Sequence, residues 1–216
     1  MNVSIIIPVY NEKGRLEKVL DELQGFNEVI VIDDASSIKV ESYIDKKKFP
    51  NLQILTNEVN KGYLHSIKAG IAFARNDIVV TMDGDGEHRP EDVTKLIQPI
   101  LDNKCDIVFG KRPEIARESE IFLLWLARML TGSKVKDSGT GFRAIKTEYA
   151  KKLQFYGGCT CGTLLQECDY LNMRICEVDV ELPKISKPRK IAWDHFFQFF
   201  SIWKFFFKTH IKGLDE

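Results

Sequence analysis

The chain has 216 residues, 44% apolar and 29% charged, which suits a single soluble domain with a proper core. Its 31 basic and 31 acidic side chains cancel, which excludes a global field for nucleic acid and requires any anion site to be local. No run reaches the roughly 18 apolar residues of a membrane span, MNVSIIIPVYNE lacks the basic start of a secretory signal, and five cysteines without a framework spacing read as thiols in a reducing compartment, so a cytoplasmic protein is expected.

In chain order, SIIIPVY is a short β-branched run and predicts a buried strand. KGRLEKVLDEL repeats Leu16, Val19, Leu20 and Leu23 at helical spacing. EVIVIDD predicts a second strand ending in two acids, VESYIDKKK a short helix, and LQILTN a third strand. GYLHSIKAGIAFAR predicts a helix, NDIVVTMD a fourth strand, RPEDVTKLIQPIL a helix opened by Pro90, and CDIVFG a fifth strand. Then come a helix at IFLLWLARML, a Gly-rich loop and strand at KDSGTGFRAIK, a helix at CGTLLQECDYLNM and a strand at RICEVDVEL. KISKPRK is a basic loop, and WDHFFQFFSIWKFFFK a closing helix. Alternating strands and helices imply an α/β domain with a mainly parallel sheet covered on both faces. Ligands then bind beyond the carboxyl ends of the strands. Asn11, Glu12, Asp34, Asn57, Asp83, Asp85, Lys111 and Arg112 all fall at that rim.

Asp83 and Asp85 form a D-x-D directly after an apolar strand, with Gly84 and Gly86 permitting a turn. Two carboxylates converging there would suit a hard divalent cation that fills its other positions with phosphate and water. A solvated acidic turn has the same sequence. Asp33 and Asp34 read either as turn acids or as acceptors for a nucleoside.

Taken together, IIIPVYNE, VIDDASS, the Asn60–Gly62 pair, MDGDGEHRPEDV and SGTGFRAIK resemble family 2 glycosyltransferases in order and spacing. Within that family the chain is most similar to the dolichyl- and polyprenyl-phosphate sugar synthases, over roughly residues 3 to 183. The resemblance implies a GT-A fold in residues 1–190, with 191–216 as a separate aromatic amphipathic helix. It implies an inverting hexosyltransferase that takes a sugar from a GDP- or UDP-sugar and uses Mg²⁺ or Mn²⁺. Pro8, Tyr10, Glu12, Asp34 and Gly62 would line the nucleotide pocket. Asp83 and Asp85 would hold the metal, with Glu87 as a third group where relatives carry Gln. Arg112 would lie near the phosphates, Arg143 in the loop around sugar and acceptor, and Glu167 would supply the acid before the EVDV strand. D-G-D-G-E departs from the usual D-A-D-L-Q, and the segment between Arg112 and Leu123 is shorter than usual.

Lys187, Arg189 and Lys190 are candidates to fold over the diphosphate, or a solvated loop. A phosphate monoester acceptor, with its second pKa near ~6, needs no base and only cations such as Arg117, Arg128 or Arg143. A hydroxyl acceptor would need one, with Glu167 or Asp169 available. A third possibility is a non-catalytic nucleotide-sugar-binding subunit of a membrane complex. In the tail, Asp194, Gln198, Ser201, Lys204 and Lys208 form one polar stripe among Phe, Trp and Ile. That helix, about 21 Å long by its rise, is too short to span a bilayer. It would lie on a membrane surface, meet a membrane partner, or pack on its own domain. CTC with Cys168 and Cys176 matches no common zinc spacing, His88 reads as structural or a phosphate contact, and His195 carries no signal.

Overall fold

The structure is a computed structural model that describes residues 2–115, 117–181 and 193–210. Seven strands form one sheet: β1 (Val3–Val9), β2 (Glu28–Asp33), β3 (Leu52–Thr56), β4 (Ile78–Thr81), β5 (Ile107–Lys111), β6 (Arg143–Lys146) and β7 (Ile175–Asp179). Their order is β3-β2-β1-β4-β6-β5-β7. All neighbours are parallel except β6, which runs antiparallel to both β4 and β5. That reversal brings the start of β6, at Arg143, to the same rim as the carboxyl ends of the parallel strands.

The strands are apolar on both sides because both sides are covered. Ile5 and Ile7 point to one face with Val29 and Val31, and Ile6 points to the other with Ile30 and Ile32. Helix α1 (Leu16–Glu22) and α3 (Asp92–Leu101) cover the first face, α3 through Val93, Leu96, Ile97 and Ile100. Helix α2 (Tyr63–Phe73), α4 (Glu118–Thr131) and α6 (Thr163–Tyr170) cover the second through Ile67, Leu124 and Leu165. A short α5 (Thr147–Ala150) follows β6, and α7 (Trp193–His210) lies against α4 and α6.

Two expectations are corrected, and the tail gains detail. VESYIDKKK yields only one 3₁₀ turn, Val40–Ser42, because the Asp33 carboxylate accepts the N–H groups of Ser36 and Val40 and holds the segment as a loop. Not all cysteines are thiols: Cys105 and Cys176, brought together by the β5–β7 pairing with Cα atoms 5.9 Å apart, form a disulfide. The polar stripe of the tail is divided, with Lys204 and Lys208 exposed. Gln198 is fully buried, whereas Phe196, Phe197, Phe200 and Phe207 are each about half exposed or more.

Candidate active site

A cavity of about 550 Å³ opens at the carboxyl rim of the sheet. From the first half of the chain it takes Pro8, Tyr10, Glu12, Asp34, Gly62, Asp83 and Asp85, so every nucleotide-side residue expected from the described sequence lies on one wall. Lys187, Arg189 and Lys190 lie outside the described residues.

Each acid on this wall is fixed by the backbone around it. Asp34 follows β2 directly and is almost fully buried. Its Oδ1 accepts from Asn57 Nδ2 at 2.7 Å and from the Lys61 N–H at 2.9 Å, and its Oδ2 from the Gly62 N–H at 2.8 Å. It therefore shapes the 57–62 loop as well as facing the cavity. Asp83 stands just past β4, where its own N–H donates to His88 Nδ1 at 2.9 Å. His88 is buried and stacks on Phe142 at 4.8 Å, so it is a structural buttress. Asp85 Oδ1 accepts the Glu87 N–H at 2.9 Å. Glu87, expected as a third metal group, is not among the residues that line the cavity. Gly141 faces the pair. A Cβ there would stand 3.0 Å from both an Asp83 oxygen and the Tyr63 hydroxyl, so only glycine leaves that space open.

The second half of the chain adds two cationic side chains, Arg117 and Arg143, to the lining, together with Glu120. Arg143 is fully buried, lines the cavity and lies over the Phe109 ring at 5.9 Å. One nitrogen donates to Thr160 Oγ1 at 2.5 Å, while its Nε and Nη1 have no hydrogen-bond partner among the described residues. Arg117 joins it, with Nε likewise unpartnered and Nη1 3.8 Å from Glu120. Buried guanidinium donors are costly to leave unmet, so their presence beside the cavity suits an anion.

Two expected residues sit elsewhere. Arg112 is clamped by Asp137, at 2.7 and 2.8 Å, and by Glu120 at 2.8 Å, below the cavity wall rather than on it. Burial works against its charge, but the two carboxylates outweigh that and hold its pKa above the ordinary arginine range. Glu167 does not line the cavity either. Its oxygens accept the N–H groups of Gln154, Phe155 and Tyr156 at 2.5, 3.1 and 2.7 Å. Burial raises its pKa against the pull of those donors. Its geometry is that of a loop-holding acid. Arg128, exposed, donates to the Ser133 carbonyl at 3.3 Å and does not reach the cavity.

The sequence reading missed Tyr63, Ser66, Glu120, Thr160, Cys159, Cys161 and His195, all on the cavity wall. Their sole local signal is the C-T-C set between glycines; the rest depends on where α2, α4 and α7 come to lie.

The sequence profile of glycosyl transferase family 2 matches residues 4–162. The chain belongs to glycosyltransferase family 2. Among its relatives, a UDP-N-acetylglucosamine–dolichyl-phosphate N-acetylglucosaminyltransferase of Methanococcus voltae is 29% identical over 208 residues, 79% of this chain and 82% of that one. A dolichol-phosphate mannosyltransferase of Pyrococcus furiosus is 36% identical over 119 residues, 52% of this chain and 33% of that one. Among solved structures, glucosyl-3-phosphoglycerate synthase from Mycobacterium tuberculosis superimposes with a TM-score of 0.75 at 20% identity, covering 96% of this chain and 79% of that one. The shared architecture is the GT-A fold, and this family 2 chain places its cavity at the sheet's carboxyl rim as open α/β sheets do.

Proposed function

We propose that this family 2 glycosyltransferase moves a sugar from a nucleoside diphosphate sugar to the phosphate of a polyprenyl or dolichyl carrier. The carrying observation is one cavity whose lining holds both the carboxylates Asp83 and Asp85 and the guanidinium side chains Arg117 and Arg143. The names of the archaeal relatives support the same acceptor.

The carboxylate pair fits a divalent cation. Its donors are hard oxygens, and Gly141 leaves space directly against Asp83. Asp83 and Asp85 would hold Mg²⁺ or Mn²⁺, which when bound would neutralise charge growing on the departing diphosphate. Asp34, Tyr10 and Pro8 would receive the nucleoside. Arg143 and Arg117 would hold the acceptor phosphate by charge-assisted bonds. A bond forms from a phosphate oxygen to the anomeric carbon as the bond to the diphosphate breaks, which inverts the centre. A phosphate is already mostly dianionic at neutral pH, so no base is needed. Glu167, held by three backbone donors, and Asp169, off the cavity wall, supply none.

Access for a lipid is the second part of the proposal. No helix among the described residues is long and apolar enough to cross a membrane. Instead Ile121, Phe122, Trp125 and Met129 of α4 join Phe196, Phe197, Phe200 and Phe207 of α7 in one exposed apolar face, linked where Phe122 stacks on Phe199. Glu120 and His195, near the starts of the same two helices, line the cavity. Such a face suits the interfacial layer of a bilayer and brings the cavity mouth to it.

The test uses the purified chain with Mg²⁺ or Mn²⁺, polyprenyl phosphate in vesicles, and labelled GDP- and UDP-sugars. Label moving into the lipid fraction is expected. Label passing only to hydroxyl acceptors would overturn the proposal.

A further inference from the structure

We propose that Cys159, Cys161 and His195 form a zinc site that joins the 157–162 loop to α7, with its fourth position on the cavity. Cys159 and Cys161 are neighbours in the loop, and His195, 34 residues beyond Cys161, meets them because α7 lies across the loop. One ligand atom from each falls within 4.8 Å of the other two. Ligands at ~2.3 Å for sulfur and ~2.1 Å for nitrogen, arranged tetrahedrally, stand about 3.6 Å apart. The Cys161 Sγ to His195 Nε2 separation is 3.8 Å, already close to that edge. Cys161 and His195 are buried, and Cys159 is partly so.

The surroundings are those of a ligand set rather than of chance neighbours. His195 Nδ1 bonds to Ser119 Oγ at 2.7 Å, which fixes the ring and leaves Nε2 directed at Cys161. Metal-bound histidines are oriented in this way through their other nitrogen. Gln198, one turn further along α7, fixes the loop. Its Oε1 accepts the Gly158 N–H at 3.0 Å, and its Nε2 donates to the Cys159 carbonyl at 2.8 Å. Gly162 ends the loop with φ +83°, and a Cβ there would strike Ile202 of α7 at 2.6 Å. The backbone is thus shaped to let α7 approach the two thiols.

Two soft sulfurs and an imidazole select zinc over the hard cation suited to Asp83 and Asp85. Binding exchanges the two thiol protons for the metal. All three residues also line the cavity, beside Thr160 and Arg143. The fourth ligand is therefore water or an anionic oxygen brought in by the acceptor. The site would then do two things: pin α7, with its aromatic face, to the catalytic domain, and offer the cavity a Lewis-acid coordination position with no change in net charge. The metal site itself does not depend on which sugar or acceptor is used.

The test is Co²⁺ titration of the reduced, chelator-stripped full chain carrying Asp83→Asn and Asp85→Asn, so that the carboxylate pair is silent. One equivalent is expected to produce thiolate-to-metal charge-transfer absorption with tetrahedral d–d bands, and Zn²⁺ to abolish both. Cys159→Ser and Cys161→Ser should remove the charge-transfer signal, and Cys168→Ser should keep it. Ser119→Ala should weaken binding roughly 10- to 100-fold. Since ligand variants can misfold, zinc-edge absorption of the otherwise unaltered chain gives an independent reading. Two sulfurs and one nitrogen support the site. An all-oxygen shell, the absence of stoichiometric metal, or a signal that survives loss of both Cys159 and Cys161 overturns it.

Discussion

Residues 3–111 deliver Pro8, Asp34, Asp83 and Asp85 to the cavity from the ends of parallel strands. Residues 112–210 deliver Arg117, Arg143, Thr160 and His195 from a loop, a reversed strand and two helix starts. The first set is held by short-range bonds: Asp34 to the 57–62 loop, Asp85 to the next residue but one. The second depends on distant pieces packing together, as in Arg143 with Thr160 or Ser119 with His195. A conserved chemistry of nucleotide and diphosphate suits the first arrangement, while a wall assembled from separate pieces can be altered piece by piece to suit a different acceptor.

The largest effect should come from the first wall. Asp83→Ala with Asp85→Ala is expected to lower transfer by on the order of 10³-fold or more, with the melting temperature little changed, because charge on the leaving diphosphate would go unopposed. Initial rates and a thermal melt check both halves of the statement. The second wall should respond differently. Arg143→Ala removes a charge-assisted contact worth about 1.5–3 kcal/mol, so kcat/KM for the lipid phosphate should fall roughly 10- to 100-fold. Nucleotide affinity, measured by calorimetry, should stay within about twofold. If nucleotide binding fell as far as acceptor use, the division between the walls would be wrong.

The same division explains what could be read from sequence. Strand ends were legible because apolar runs stop abruptly at Asp34 and Asp83, and strand order confines such ends to one rim. Arg143 was legible through its Gly-rich loop. Arg112 and Glu167 were misplaced because their residue types fit the expected roles, while their partners, Asp137 and the 154–156 backbone, are set by tertiary packing. The tail was legible only in part, because helical spacing finds a polar stripe but not which side faces water, and the loop around Cys159 consumes the hydrogen bonds of Gln198.

The exposed rings of the tail provide the next test. Replacing Phe196, Phe197 and Phe200 together by Ser should weaken binding to polyprenyl-phosphate vesicles by roughly tenfold or more, since each half-exposed ring can bury part of the ~1.5–3 kcal/mol of a full side chain. Transfer to a short, water-soluble prenyl phosphate should survive. Vesicle flotation and the two acceptor assays separate loss of docking from loss of catalysis. Glu167→Gln then distinguishes a scaffold acid from a base. Weakening three backbone bonds should cost about 1–3 kcal/mol of stability, read by urea denaturation, with kcat nearly unchanged. A general base would instead lose about 10²–10⁴ in kcat at unchanged stability.

The smallest expected effect lies at the opposite rim, away from the candidate active site. Asp106, just before β5, accepts from Arg174 at 2.9 and 3.0 Å and pairs with Lys146 at 2.8 Å. The Arg174 bond, against the cost of burial and with help from Lys146, holds its carboxyl well below the ordinary carboxylate value. A carboxylate whose pKa is depressed by folding contributes stability above its unfolded pKa, and that contribution is lost as the pH falls through the folded one. Asp106→Asn should therefore cost about 1–2 kcal/mol near neutrality, a cost that shrinks on acidification, with transfer activity at neutral pH unchanged. Urea midpoints measured across an acid series test the sign. A penalty that stayed constant with pH would mean that packing, rather than charge, holds this end of the sheet together.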